Sequence, residues 1–485
     1  MKLKRFVTAV LAMAMVASMT ACGNDAAVSK TSEASSAAAS TGSAVETAQA
    51  ESGGTDFSTS EEQAKAYDDY IAGLSGKYEG KTLNVVTVSD PWLTGMEETV
   101  AKFEELTGCK VSFSELGYDA CYSKETLIAS QKSNEADVFI YDYPWIGALS
   151  DSLMELDDVL DQNAALVDYE DFFQVGREGT SWNGKKLGLP FAPYFTMLTY
   201  NTDLFEQAGI TEAPSTVEDL KAAAEKLTTD SVAGIALNNQ SGTCVGQAYF
   251  EWIYAFGGKV FESCYPGSTD YYADMTPCLT SEESLAVVKF FKDMLPYEGS
   301  GALNMSWNER FSAFATGSAA MMSPWITDIM PLDDPQQSLV TDSYATTAPV
   351  TEEGVDQVTP IGGYSMGISK YAAESDLATD FLLWFTTPQT AYRFIENGGL
   401  PARYSLINDA NLCAKYRYYS TLQEVVDTAF CAFRPQIPES FEIMDTVGEY
   451  IAKYLDDSMG LEEAMSAAND AVAEILIKGG YQVSK

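Results

Sequence analysis

Residues 81–116 place the tightest constraint on the fold. "KTLNVVTVSD" carries a β-branched run at 83–88 that reads as a strand buried on both faces. "GMEETVAKFEELTG" follows, with Met96, Val100 and Phe103 on one helical face and Gly108 placed to stop the helix. "KVSFSEL" then alternates, with Val111 and Phe113 on one side. Strand, helix, strand is a βαβ unit, which calls for a parallel sheet covered by helices.

The alternation continues. "ADVFIYD" (136–142) is a second buried strand and runs into the polar, aromatic loop "DYPW". "KKLGLPFAPYFTMLTYNTDLF" reads as a strand pair around Pro190. "STVEDLKAAAEKLT" opens with a capping box of Ser215 and Glu218, and has Val217, Leu220, Ala224 and Leu227 on one side. "SDLATDFLLWFTTPQTAYRFIENGG" holds two helices, the second capped by Thr387 with Pro388 at its first position. Residues 441–478 are helical with a break at Gly460. No internal repeat is visible. With 485 residues and 46% hydrophobic composition, the reading is α/β with open sheets in two lobes. In such sheets ligands bind beyond the carboxyl ends of strands, so the loops after strands are the places to search.

Composition narrows the chemistry. The chain has no histidine, which excludes Ser-His-Asp and Cys-His triads and His-based zinc sites; no metal site is expected. Its 70 acidic against 29 basic residues give a net charge of −41, which repels nucleic acid and anionic membrane surfaces. Seven cysteines follow Cys22, an odd number without any C-x-x-C spacing. A pair such as Cys264 with Cys278 and free buried thiols are both open.

The amino terminus reads as a targeting segment over residues 1–22. Lys2, Lys4 and Arg5 precede a short apolar run at 6–19, too short for a permanent membrane span. The run ends in "MTAC", which resembles a bacterial lipobox with Cys22 as the lipidated residue. Residues 23–60 are rich in Ser, Ala, Thr, Gly and Glu and read as a flexible tether. Lipid, tether and domain imply a protein held at the extracellular face of the bacterial cytoplasmic membrane.

Three further stretches resemble the extracellular solute-binding family 1 of ABC importers, which includes the maltose-binding type. They are "GLPFAPYFTMLTYNTDLFEQAGITEAPSTVEDLKAAAEKLT", "FATGSAAMMSPW" and "TPIGGYSMGISKYAAESDLATDFLLWFTTPQTAYRFIENGGLPAR". The resemblance spans most of 80–480. It implies the two-lobed, hinged periplasmic-binding-protein-like fold (type II) with a central ligand cleft. By that likeness the first lobe is 80–191 plus 350–399 and the second 195–347 plus 403–485, with crossings near Pro193, Pro349 and Pro401. It also implies a monomer that binds a carbohydrate and delivers it to the transmembrane subunits of an ABC permease, with no cofactor and no catalysis.

Sugar rings have apolar faces that aromatic rings cover and hydroxyl rims that carboxylates, amides and arginine hold. Asp90 and Trp92 in "SDPWLTG" follow the first strand and are candidates, with core packing the alternative for Trp92. Asp142, Tyr143 and Trp145 end the 136–142 strand. Trp325 resembles the family's stacking tryptophan, and Arg403 its "P-R" position, where it either binds ligand or pairs an acid across the hinge. Asn239 and Gln240 in "LNNQSGT" are candidate rim partners. In "PIGGYSMGIS", Gly362 and Gly363 would let backbone approach the ligand, and Tyr364 would supply a ring or hydroxyl. Trp252 and Trp384 lie on helical stripes and read as core; Trp307 reads as a surface cover. The alternatives are a binding protein for a polyamine or peptide, which Asp90 and Asp142 leave open, and a surface-anchored glycoside hydrolase. The hydrolase would need two carboxylates about 5–10 Å apart, and no such motif is visible.

Overall fold

A computed structural model describes residues 59–484. The expected signal peptide, lipidated Cys22 and nearly all of the tether lie outside the described residues. Ser60 caps the first described helix, Glu61–Leu74, by accepting from the Gln63 amide.

The βαβ unit forms where its pattern placed it. Strand β1 (Thr82–Val88) pairs in parallel with β2 (Lys110–Leu116), and the helix Leu93–Thr107 connects them. Gly108 closes that helix at φ 75°, where a side chain would be strained. Met96, Val100 and Phe103 bury the helix face, and the Phe103 ring meets Trp384 at 5.0 Å. β3 (Val138–Asp142), buried at every residue, lies parallel to β1 on its other side.

The sheet is completed by distant segments. β4 (Leu189–Phe195) is followed at once by β5 (Leu198–Asn201), which belongs to a second sheet. There β5 lies between β6 (Met321–Met322) and β7 (Tyr344–Thr347), both antiparallel to it. The chain then returns as β8 (Thr359–Ile368), antiparallel to β3 on one edge and to β4 on the other. The short β9 (Ala429–Phe430) pairs with the first two residues of β8. The first sheet thus runs β2-β1-β3-β8-β4, and the chain crosses between sheets at 196–197 and 348–358.

Two local expectations are corrected. The capping box is formed by Thr216 and Asp219, not Ser215 and Glu218: Thr216 Oγ1 accepts from the Asp219 amide at 3.1 Å and Asp219 Oδ2 from the Thr216 amide at 3.3 Å. The buried face begins at Val217, so the helix must start there. The strand break falls at 196–197 rather than at Pro190, which lies inside β4. Proline is tolerated there because β4 is an edge strand and its register with β8 shifts beside Pro190.

Other features agree with the pattern. Thr387 caps the helix Pro388–Glu396, and Gly460 precedes the last helix, Leu461–Gly479. Trp384 and Trp252 are core residues. The seven described cysteines are all unpaired; Cys264 donates to the Ala432 carbonyl at 3.1 Å rather than bonding Cys278. Among the described residues no helix is long and apolar enough to cross a membrane.

Gly363 sits at φ 99°, and a Cβ there would lie 2.1 Å from the Ala192 carbonyl oxygen. Gly363→Ala is expected to lower the unfolding free energy by about 1–3 kcal/mol in a urea titration. Gly354→Ala, at φ 82° with open space around it, should lose less. Equal losses would show that the clash with β4 contributes nothing.

Candidate functional site

The carboxyl ends of β1 and β3 open onto a cavity of about 300 Å³. From the first sheet come Val88 at the end of β1 with residues 89–91 after it, Asp142 at the end of β3, Tyr194 of β4, and Gly362, Gly363 and Tyr364 of β8. The opposite wall is Gln247 on the helix Thr243–Trp252, Trp307 and Asn308 at the start of the helix Trp307–Ala315, and Trp325, Thr327 and Asp328 after β6. Tyr118 and Arg434 complete the lining. Five aromatic rings therefore face one space: Tyr118, Tyr194, Trp307, Trp325 and Tyr364.

One buried ion pair organises the floor. Arg434 donates from both terminal nitrogens to Asp142, Nη1 to Oδ2 at 2.6 Å and Nη2 to Oδ1 at 2.8 Å. The Tyr118 hydroxyl donates to Asp142 Oδ2 at 2.6 Å. On the far wall Arg310 holds Asp328 at 2.7 Å. The half-buried Asp90 accepts from Thr327 Oγ1 at 3.1 Å. Loss of water pushes the Asp90 carboxyl up to about 7, with Asp328 and Asp142 adding to the rise while hydrogen bonds from Tyr194 and Thr327 oppose it.

Of the expected site residues, Asp90, Asp142, Trp325, Gly363 and Tyr364 line the cavity. The others lie elsewhere. Trp92 is fully buried behind the wall, its indole N–H donating to the Tyr194 hydroxyl at 2.6 Å and its ring 5.0 Å from Phe191. Tyr143 begins a single 3₁₀ turn that carries it into the core, where its ring fills the space a side chain on Gly179 would need. Trp145 packs on Tyr118 and Tyr122 at 4.9 and 5.3 Å. Asn239 donates to the buried Glu298 at 2.7 Å, and Gln240 is exposed.

Arg403 is fully buried away from the cavity and pairs with Asp171 at 3.3 Å. Its guanidinium lies over Phe172 at 3.7 Å and bonds the Val167, Asp168 and Thr386 carbonyls. The double glycine also serves the protein first. A Cβ on Gly362 would meet Arg434 Nη2 at 2.9 Å and the Trp325 ring at 3.4 Å.

The sequence reading missed Tyr118, Tyr194, Gln247, Trp307, Asn308, Thr327, Asp328 and Arg434. Thr327 and Asp328 stand within three residues of Trp325, and that proximity was a usable signal. Arg434 had none, because its partner is 292 residues away. Among the described residues no group of three or more Cys, Asp or Glu is disposed to hold a metal ion.

Arg434→Met would leave Asp142 buried without its counter-charge, and a loss of about 3–5 kcal/mol is expected in chemical denaturation. Burial also pushes Glu298 up to about 8 and Glu251 to about 7. An acid with a raised folded pKa holds its proton in the folded state while the unfolded chain, near 4.3, has released it. That contribution is complete below about 4 and is lost as pH rises through 7–8. The urea midpoint should therefore fall between about pH 5 and 8, and Glu298→Gln should flatten the fall. A profile unchanged by that substitution would contradict the assignment.

Residues 90–392 match the profile of the bacterial extracellular solute-binding protein family. A probable amino-acid ABC transporter periplasmic-binding protein from Sinorhizobium fredii is 26% identical over 355 residues, covering 71% of this chain and 78% of the relative. The crystal structure of an ABC transporter solute-binding protein from Agrobacterium radiobacter in complex with ribitol superposes with TM-score 0.76. It is 26% identical, and the match covers 82% of this chain and 99% of that one. The maltose-bound MalE3 of T. maritima superposes with TM-score 0.74 at 17% identity, over 82% of this chain and all of that one. The fold is that of the type II periplasmic binding proteins, and the chain belongs to the bacterial extracellular solute-binding protein family.

Proposed function

We propose that this protein captures a sugar or sugar alcohol in the cavity between its two sheets and passes it to the membrane subunits of an ABC importer. The observation that carries the reading is the convergence of five aromatic rings and three carboxylates, Asp90, Asp142 and Asp328, on one space at the ends of β1 and β3. Rings cover the C–H faces of a sugar, and carboxylates accept from its hydroxyls. The ribitol held by the Agrobacterium relative and the maltose held by the Thermotoga protein belong to the same chemical class.

In this reading the lobes are 80–191 with 350–399, and 195–347 with 403–485, joined where the chain crosses between the sheets. The pairing of β9 with β8 draws residues 429–434 back to the first lobe. Ligand touching both walls would favour the closed form. Cys22 would carry the lipid, and residues 23–60 the reach from the membrane. The protein would act as a monomer and catalyse nothing; Asp142 and Asp328 are each neutralised by an arginine. The Sinorhizobium relative raises an amino acid as a second reading. An α-carboxylate would need a cation, and Arg434, the one that lines the cavity among the described residues, is already forked to Asp142.

A thermal-shift screen against ribitol, mannitol, maltose and monosaccharides tests this. A ligand at a hundred times its dissociation constant should add about 2.7 kcal/mol. Trp325→Ala should weaken that ligand by about tenfold, the loss expected for one stacking face. A flat response to every saccharide and polyol, with a rise for spermidine or a peptide, would sink the proposal.

A further inference from the structure

The groups around the cavity are unequally committed. Asp142 is forked by Arg434 and Asp328 is paired by Arg310, whereas Asp90 has no ion pair among the described residues. Several donors are spent, whereas the Tyr364 hydroxyl and the Asn308 amide bond no other group among the described residues. Tyr118 gives its proton to Asp142, Thr327 to Asp90, and Arg434 gives both terminal nitrogens to Asp142. The Trp307 indole N–H reaches Asn238 Oδ1 at 3.2 Å in the amide orientation that satisfies both groups. Among the described residues no lysine lines the cavity, and Arg434 is its single arginine. Gln247 turns its amide N–H to Glu251 at 2.8 Å, so another carboxyl stands just behind the wall. The space is thus acidic, with one carboxylate lacking a counter-charge.

An ionised carboxylate can only accept, and closing it into a dry site without a partner is unfavourable. A neutral hydroxyl brings one donor. An ammonium brings three and a full charge, and charge-assisted bonds are about twice as strong. The aromatic walls add ring faces that attract cations.

We propose that the ligand is an amine-bearing sugar or sugar alcohol whose ammonium group is held by Asp90. This rests on the saccharide reading above. The cavity volume of about 300 Å³ lies at the low end of small-molecule sites and readily holds one sugar unit. Burial already raises Asp90 to about 7, so a bound cation would hold it ionised. The chain's overall charge of −41 does not produce the same selectivity, because fields from distant charges are screened beyond about 8 Å at physiological salt.

Calorimetric titration of the full chain with matched pairs tests the inference: D-glucose with D-glucosamine, D-galactose with D-galactosamine, and D-glucitol with D-glucamine. An amine member should bind at least about tenfold tighter than its neutral twin, a difference of about 1.4 kcal/mol. Asp90→Asn should erase that advantage, and added salt should leave most of it intact. Neutral twins that bind as tightly as the amines, or an amine preference that survives Asp90→Asn, would overturn the inference and leave the saccharide reading standing. Silence from both members of every pair would overturn both.

Discussion

The forked bond between Asp142 and Arg434 fastens the chain after β9 to the end of β3, two segments that strand pairing through β8 has already brought together. Asp142 ends a strand of the parallel sheet, and Arg434 follows the short β9, which pairs with the start of β8. Both charges are buried, so each needs the other; a lone charge there would cost several kcal/mol. Tyr118 takes the remaining reach of Asp142 Oδ2. The guanidinium then lies so close to β8 that a Cβ at position 362 would meet its Nη2 at 2.9 Å and push on the forked pair. The cavity floor is therefore bonded together by the protein's own groups, and the carboxylate without an ion pair among the described residues is Asp90, on the opposite side of β3.

The aromatic residues divide into two shells with different work. Tyr194 and Tyr364 face the cavity, and Trp92 and Phe191 stand behind them. Trp92 donates to the Tyr194 hydroxyl and packs edge-on against Phe191, which fixes the orientation of the exposed ring. A ring that is to stack on a ligand loses less entropy if its position is already set by neighbours. Arg403 does comparable work outside the cavity, clasping residues 167–171 to the end of the helix Ser375–Thr386.

Much of the architecture was legible because it rests on local rules. Period-two and helical patterns located β1, β2, β3 and the helix Leu93–Thr107, and Thr387, Pro388 and Gly460 marked helix ends by their own backbone chemistry. The candidate site was half legible. Searching the ends of strands led to Asp90, Asp142 and Trp325, which line the cavity, whereas Tyr364 lines it from within β8. Within those loops, orientation was not legible. Tyr143 is adjacent to Asp142 in sequence, yet one 3₁₀ turn sends it into the core.

The sequence by itself determined the class of fold, the exclusion of histidine chemistry and the stretches whose ends could host a ligand, because these follow from composition and from contacts between near neighbours. Only the tertiary structure decided which side chains share the cavity. Arg434 meets Asp142 across 292 residues, and Gly363 is required by the Ala192 carbonyl of a strand that precedes it by the whole second sheet. Such contacts depend on how β8 inserts between β3 and β4, and no periodicity within a segment encodes the identity of a neighbour contributed by another.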